Sequence, residues 1–270
     1  MDVSHFGNSA SQFSLKDELA LRINISDVDC IKDIIGITDD VIDDTSFEKF
    51  YLPGFNKGEI MTFVPTKHPE LFSSQKKFLN KLRIVMVNND ITSVGINFEK
   101  YIDEFVSFLY SEMEFDDGEE LTMQPCHLRM EIGETTFAAY ADREGRRGTE
   151  IVWILNEDKH RGSTRYKKGE VQMVACMIAA MQWNYSISED ACPKKIIGIR
   201  VIGDKFCFYS ANVSTSYLED LRKGLPKRNL TVKKYPSGDG LEISSESDRK
   251  KILECLYLLK KYAITIVPVY

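Results

Sequence analysis

Apolar residues recur at helical spacing in two long stretches of the chain. Between positions 97 and 113 the apolar positions repeat every three or four residues, at Phe98, Ile102, Phe105, Val106, Leu109 and Met113. This period places them on one face of a helix, and the acidic, glycine-containing stretch 115–120 ends it. Residues 169–184, rich in alanine and methionine, predict a second helix with a broad apolar face.

Two further helices are predicted from shorter signals. The apolar run at 75–89 leads to the turn residues that follow it. Near the end of the chain, Ser245 or Ser247 provides an N-cap, acidic residues follow in the first turn, and Lys260 and Lys261 stand in the last turn.

Segments rich in β-branched and aromatic residues predict the strands. Three of them, at 126–132, 135–141 and 150–155, read as a meander with turns at Gly133 and at 145–148. Two more, at 195–202 and 205–211, form a hairpin signal, and the tail 264–270 predicts a last strand limited by its proline. The order of helix, three strands, helix, two strands and helix predicts an α/β domain in which a mixed central β-sheet is flanked by helices.

Composition restricts the class of protein. The chain has 270 residues, 43% of them hydrophobic, which is enough for a globular core. No stretch approaches the roughly 18 apolar residues of a membrane span, and the first thirty residues do not resemble a signal peptide, so we expect an intracellular protein without membrane contact. The six cysteines form no C-x-x-C pair and are expected to be reduced core residues.

The net charge of −6 hides an asymmetry. Residues 1–120 carry 11 basic and 23 acidic side chains, whereas residues 121–270 carry 24 and 18. Within 143–168 there are four acidic and eight basic residues, the latter being Arg143, Arg146, Arg147, Lys159, Arg161, Arg165, Lys167 and Lys168. Contacts with phosphates are expected there if the chain makes any; the alternative is a solvated charge cluster.

Two carboxylates and a lysine carry the candidate chemistry. Asp142 is expected at the end of one strand, and Glu157 and Lys159 at the end of the next. Carboxylates that converge in this way repel each other unless a cation lies between them, and hard oxygen ligands favour Mg2+ or Mn2+. Lys159, two residues beyond Glu157, would share its strand face. A Glu-x-Lys pair alone is a weak signal, and Asp142 also suits a turn.

The segment FAAYADREGRRGTEIVWILNEDKHRG, at 137–162, resembles the signature of the PD-(D/E)XK nuclease superfamily. The resemblance implies a restriction-endonuclease-like core in which Asp142, Glu157 and the backbone carbonyl of Asp158 bind the metal and Lys159 serves the attacking water. It further implies support from Gln172 on the following helix and from Glu99 on the preceding one. Gln182 competes with Gln172, and Glu112 is the reserve for Glu99. Ala141 departs from the family's proline before the aspartate.

The resemblance implies a metal-dependent nuclease acting on nucleic acid, DNA before RNA, in a domain of residues 91–270. Arg143, Arg146, Arg147, Arg161, Arg165, Lys167 and Lys168 would contact the phosphate backbone. The end of the chain, at 233–263, is also similar to nuclease-like domains of crinkler-type effectors and mobile elements. No phosphate-binding loop, H-E-x-x-H or G-x-S-x-G motif supports another enzyme class.

Two other classes stay open. One is a catalytically inactive module on the same scaffold that binds nucleic acid or a protein, with the acidic region 1–90 docking the partner. The other is a structural protein that makes no contact with nucleic acid.

Overall fold

The computed structural model describes residues 6–36, 46–89, 99–118, 121–158, 166–188 and 195–268. Its strands are β1 (Ile23–Asp27), β2 (Thr122–Ile132), β3 (Thr135–Arg147), β4 (Glu150–Asp158), β5 (Lys195–Ile202), β6 (Lys205–Asn212), β7 (Leu230–Tyr235) and β8 (Leu241–Glu242). Its α-helices are α1 (Leu15–Ala20), α2 (Ile31–Ile35), α3 (Lys57–Met61), α4 (Ser73–Asn89), α5 (Glu99–Glu112), α6 (Tyr166–Ile187), α7 (Thr215–Lys223) and α8 (Glu246–Thr265). Short 3-10 helices lie at Ala10–Gln12, Ser46–Phe50 and Pro65–Lys67.

The described strands form one mixed sheet in the order β1-β7-β6-β5-β4-β3-β2, with β8 beside β6. Neighbours are antiparallel except for β4 with β5 and β1 with β7, which are parallel. A parallel pair needs a crossover connection, and α6 lies within the connection between β4 and β5. The predicted α/β class with a mixed, helix-flanked sheet is confirmed.

Each face of the sheet has its own apolar core. On one face, α4, α5 and α8 pack with Trp153, Leu155 and Ile199. On the other face, α6 and α7 pack with Ile154 and Ile196. Because β5 and β6 are covered on both faces, they read as nearly continuous apolar runs in the sequence. Among the described residues, no helix combines the length and the apolarity that crossing a membrane requires.

The N-terminal part of the chain completes the sheet. β1 pairs in parallel with β7, from Ile23 beside Leu230 to Asp27 beside Lys234. Phe13 and Leu21 are fully buried in the same core as α6. Residues 13–27, for which the sequence predicted no role, therefore supply an edge strand and core side chains.

Two expectations about strand ends are wrong. Residues 264–265 belong to α8, and residues 266–268 are in no strand, because the helical hydrogen bonding continues through the last turn. β3 does not end at Asp142 but continues to Arg147, since Glu144 and Gly145 pair with Ile154 and Trp153 of β4. The hairpin turn is consequently shorter and lies at residues 148–149.

The cysteines are core residues where the structure describes them. Cys126, Cys176, Cys207 and Cys255 are buried and free, and Cys30 is half-buried and free. Burial raises the pKa of the Cys207 thiol to about 11, so at neutral pH these thiols behave as small apolar groups. Cys192 lies outside the described residues.

Candidate active site at a fork between two strands

Strands β3 and β4 separate beside the predicted catalytic residues. Their pairing ends where Arg143 lies opposite Leu155. Beyond that point, among the described residues, β3 pairs with β2 and makes one isolated bridge to Ser9 through Ala138. β4 pairs there with β5, where Glu157 lies beside Val201 and Asp158 beside Ile202. We call this divergence the β3/β4 fork. Asp142 lies on one arm, one residue from the last pair, and Glu157 lies on the other, two residues from it.

An irregularity in the neighbouring pair accompanies the fork. The register of β2 with β3 shifts between Gln124 and Cys126, which pair with Glu144 and Ala141. Two residues of β3, Asp142 and Arg143, thus lie opposite Pro125 alone. A bulge of this kind bends a strand and redirects its side chains, and bulges are frequent beside active sites. The Asp142 side chain is exposed at this bend.

Asp142 lies on the side of the fork covered by α6. Burial raises the pKa of the Cys176 thiol in α6 to about 12, and the negative charge of Asp142 adds to that effect. Cys176 Sγ also donates to the backbone oxygen of Tyr140, at 3.6 Å. The middle of α6 is therefore close to the Asp142 arm.

The position of α6 separates the two glutamine candidates. Gln172 precedes Cys176 by one helical turn, so both lie on one side of the helix, and Gln172 is half-buried. Gln182 instead pairs its side-chain amide with the backbone of Glu131, accepting from N–H at 2.9 Å and donating to C=O at 2.8 Å. Gln182 thus holds α6 to β2, and Gln172 is the glutamine on the fork side of the helix.

Three arginines predicted to contact phosphate make contacts within the protein. Arg143 forms an ion pair with Asp103 of α5 and donates to Ser107 Oγ at 2.6 Å. Arg146 pairs with Glu144 at 2.6 Å and lies over the Trp183 ring. Arg147 donates to the backbone oxygen of Ile266 at 3.3 Å. These guanidinium groups attach β3 to its surroundings.

Part of the predicted site lies outside the described residues. This applies to Lys159, Arg161 and Arg165 entirely, and to the side chains of Glu99, Glu157, Asp158, Lys167 and Lys168. Glu112, the reserve for Glu99, bonds to Lys49 Nζ at 2.9 Å. Within the described ranges no three histidine, cysteine, aspartate or glutamate side chains are grouped to hold a metal ion.

A polar cluster lies under the first turns of α6 and was not predicted from the sequence. Glu170 Oε1 accepts from Lys234 Nζ at 2.8 Å and from Tyr209 Oη at 2.9 Å. Arg200, 2% exposed, reaches Gly169, where a Cβ would lie 2.1 Å from Nη2. Asn156 pairs with Arg200 across β4 and β5. Burial of the cluster raises the pKa of Tyr209 well above its ordinary value.

Two residues of this region flank, in sequence, the segment that contains Lys159. Asn156 lies near the end of β4, and Glu170 lies in the second turn of α6. Residues near the carboxyl ends of parallel strands line the binding sites of open α/β sheets, and β4 and β5 are such a pair. An arginine inside the apolar run KIIGIRVI was the sequence signal for this cluster, because an unpaired charge is rarely buried.

Fold and fork together define an α/β protein with a mixed sheet and an acidic residue exposed where two strands diverge. Comparison of the chain with protein-family models and with curated proteins finds no match.

Proposed function

We propose that the protein is a metal-dependent nuclease of the PD-(D/E)XK type, which hydrolyses phosphodiester bonds of nucleic acid, DNA before RNA. The β3/β4 fork is the observation that carries the proposal, because Asp142 lies on one arm and Glu157, two residues before Lys159 in the sequence, lies on the other. The order α5, β2, β3, β4, α6, β5 is further support, since it is the order of elements that the resemblance implies.

The donor set fits a hard divalent cation. Asp142 is exposed at the bend of β3, where its carboxylate would bind the ion, and Glu157 with the carbonyl of Asp158 would add oxygen ligands from the other arm. Few ligands, all of them oxygen, suit Mg2+ or Mn2+ better than zinc. When bound, such an ion lowers the pKa of a coordinated water and stabilises negative charge on the phosphate oxygens.

The remaining residues act on the water and on the substrate. Lys159 would hold the attacking water and offset the charge that develops on the phosphate. Gln172, on the fork side of α6, and Glu99, at the start of α5, would position this lysine and its water. Arg161, Arg165, Lys167 and Lys168 would contact the backbone of the substrate, which predicts association that weakens as salt increases.

The first prediction concerns cleavage. Asp142→Asn and Lys159→Ala should each lower Mn2+-dependent cleavage of plasmid, linear duplex or RNA by about 10²-fold or more, because each removes a group that acts in the transition state. Matched controls are Glu134→Gln, in the exposed β2–β3 turn, and Lys223→Ala, at the exposed end of α7. Both should cleave as the parent protein does.

Folding must be monitored in the same experiment. Urea unfolding midpoints of the four variants should stay near that of the parent, since Glu134, Asp142 and Lys223 are exposed and a role of Lys159 in catalysis requires no contribution to stability. Undiminished cleavage by Lys159→Ala with a native midpoint would refute its assigned role.

The positive balance of residues 121–270 favours a second candidate, an inactive module on the same scaffold that binds nucleic acid. Calorimetry with Mn2+ separates the two. Metal binding that is lost in Asp142→Asn supports the nuclease. Salt-sensitive DNA binding that neither metal nor this substitution changes supports the inactive module.

A further inference from the structure

Strand β2 forms one edge of the sheet and leaves part of its backbone unpaired. The Gln182 amide bonds both the N–H and the C=O of Glu131. These groups point away from β3, so Glu131 belongs to a non-hydrogen-bonded pair of the antiparallel ladder. Because the pattern repeats every two residues, the backbone groups of Arg129 and His127 point outward as well.

The partner strand supports this orientation. Ala138, which lies opposite Arg129, sends its N–H away from β2 to the backbone oxygen of Asn8, at 3.3 Å. His127 and Tyr140 lie opposite each other with ring centroids 5.2 Å apart, as the close side chains of such a pair require. Within the described residues, the outward N–H and C=O of His127 and Arg129 bond to no other group.

A groove of about 400 Å³ runs beside this open edge. Its floor is β2, and its wall comes from the end of α6 and from α7, through Trp183, Tyr185 and Arg222. Trp183 is 42% exposed, and the Arg222 guanidinium lies 4.6 Å from the centre of the Tyr185 ring. The groove thus offers aromatic surface along a row of unpaired backbone groups.

The open edge is short. Gln182 occupies it at Glu131, and Pro125, which has no N–H, limits it at the other end. Two outward-facing residues accommodate a short extended segment but not a long strand from a second copy of this sheet. The charges are uneven, since Arg129 and Arg222 line the groove with a single carboxylate, Glu131.

We propose that the β2 edge and its groove bind a short, extended, acidic peptide segment of a partner protein. The peptide adds a strand to β2 through backbone bonds to His127 and Arg129, and its carboxylates meet Arg129 and Arg222. This mode of recognition takes affinity from main-chain hydrogen bonds and specificity from alternate side chains. The proposal does not require the fork, a metal ion or nucleic acid.

A fluorescein-labelled, end-blocked peptide of alternating aspartate and valine tests the proposal by anisotropy with the full chain. Saturable binding should weaken about tenfold or more in Arg129→Pro, which deletes the outward N–H and the guanidinium. Proline is tolerated at this edge position, because the lost N–H does not belong to the β2–β3 ladder. Arg129→Ala keeps the N–H and should weaken binding less, to an extent that shrinks with salt.

Two further probes make the result decisive. The same peptide N-methylated at every residue should lose binding, since neither of its edges can donate, and addition of the unmethylated peptide should slow hydrogen exchange at the amides of His127 and Arg129. No saturable binding, equal binding of the methylated peptide, or displacement of the peptide by single-stranded DNA would each overturn the proposal. Cleavage by the parent protein should be unchanged with peptide bound, so the outcome is independent of the proposed nuclease.

Discussion

At the scale of single residues, Gly145 shows how a close contact replaces a predicted turn. The sequence predicts Gly145 as a turn residue, yet it lies inside β3 opposite Trp153. A Cβ at this position would lie 1.9 Å from Trp153 Cε2. Trp153 is fully buried and packs on Tyr110 and Phe115, with ring centroids 5.2 and 5.6 Å away. The indole of Trp153 thus fills the space that a side chain at position 145 would need.

Gly145→Ala should lower the free energy of unfolding by about 2 kcal/mol, because the indole cannot move without disturbing two further rings. Urea unfolding followed by tryptophan fluorescence measures the change. Gly58→Ala is the matched control, since Gly58 is exposed in α3 and alanine favours a helix. A stability equal to that of the parent in Gly145→Ala would contradict the tight packing described here.

Glu150 gives a prediction about pH. The residue is 1% exposed, its Oε1 has no hydrogen-bond partner among the described residues, and burial raises its pKa. A carboxyl whose pKa is higher in the folded state favours folding when protonated. Its contribution is therefore complete below the ordinary glutamate pKa, about 4.3, and is lost as pH rises through the folded pKa.

Glu150→Gln should therefore be more stable than the parent at about pH 7 and should lose less stability between about pH 5 and pH 7. Urea unfolding at both pH values measures the difference, with Glu134→Gln as the exposed control. Parallel pH profiles for the parent and Glu150→Gln would show that this carboxyl is solvated.

At the scale of secondary structure, α6 is attached to the sheet by amide side chains at two places. Asn184 accepts from the N–H of Ile151 and donates to its C=O, both at 2.8 Å, where the register of β3 and β4 shifts. Gln182 makes the same pair of bonds with Glu131 at the β2 edge. Asn184 is 1% exposed, whereas the bonds of Gln182 are open to solvent.

Asn184→Ala should cost about 2 to 3 kcal/mol, since it leaves two buried backbone groups without partners. Gln182→Ala removes equivalent bonds at the surface, where water replaces them, and should cost less than about 1 kcal/mol. Chemical denaturation of both variants gives the comparison. Equal costs would mean that burial does not set the strength of these attachments.

Most elements could be predicted from apolar periodicity, and those that could not were missed for identifiable reasons. The 99–112 and 166–187 helices and strands β2 to β6 follow the predicted order. β7, with the sequence LTVKKY, was missed because Lys234 is buried on Glu170 and reads as a surface residue. β1 was missed because its partner is more than 200 residues away.

The site was predictable in part. The sequence predicted that Asp142 and Glu157 lie on adjacent strands, and in the structure these strands, β3 and β4, pair with each other. It could not reveal the bend at Asp142, because a bulge depends on how β2 and β3 pair and leaves no local pattern. Nor could it show that Arg143 and Arg146 find internal carboxylates, since Asp103 lies on a helix 40 residues earlier and Glu144 reads as part of a turn.

At the scale of the whole molecule, the N-terminal segment is part of the sheet as well as an acidic region. Besides β1, it contributes Leu21, whose backbone oxygen accepts from Tyr217 Oη in α7 at 2.7 Å. Deleting residues 1–30 should lower Tm by about 5 °C or more and promote association, because it exposes the edge of β7 and part of the core.

Circular dichroism and size-exclusion chromatography test this deletion. A pair of point variants supports it: Leu21→Ala, at a fully buried position, should be clearly destabilised, whereas Leu19→Ala, at a position that is 77% exposed, should not. An unchanged Tm after the deletion would mean that the N-terminal region does not contribute to the stability of the sheet and its core.

The pairing of Ile23 with Leu230 also has a consequence for biosynthesis. A ribosome adds about 5 to 20 residues each second, so β1 waits on the order of 10 to 40 s for its neighbour β7 to be made. During that interval Ile23 and the aromatic residues around it lack their final contacts. We expect chaperones to protect the nascent chain until β7 has left the exit tunnel.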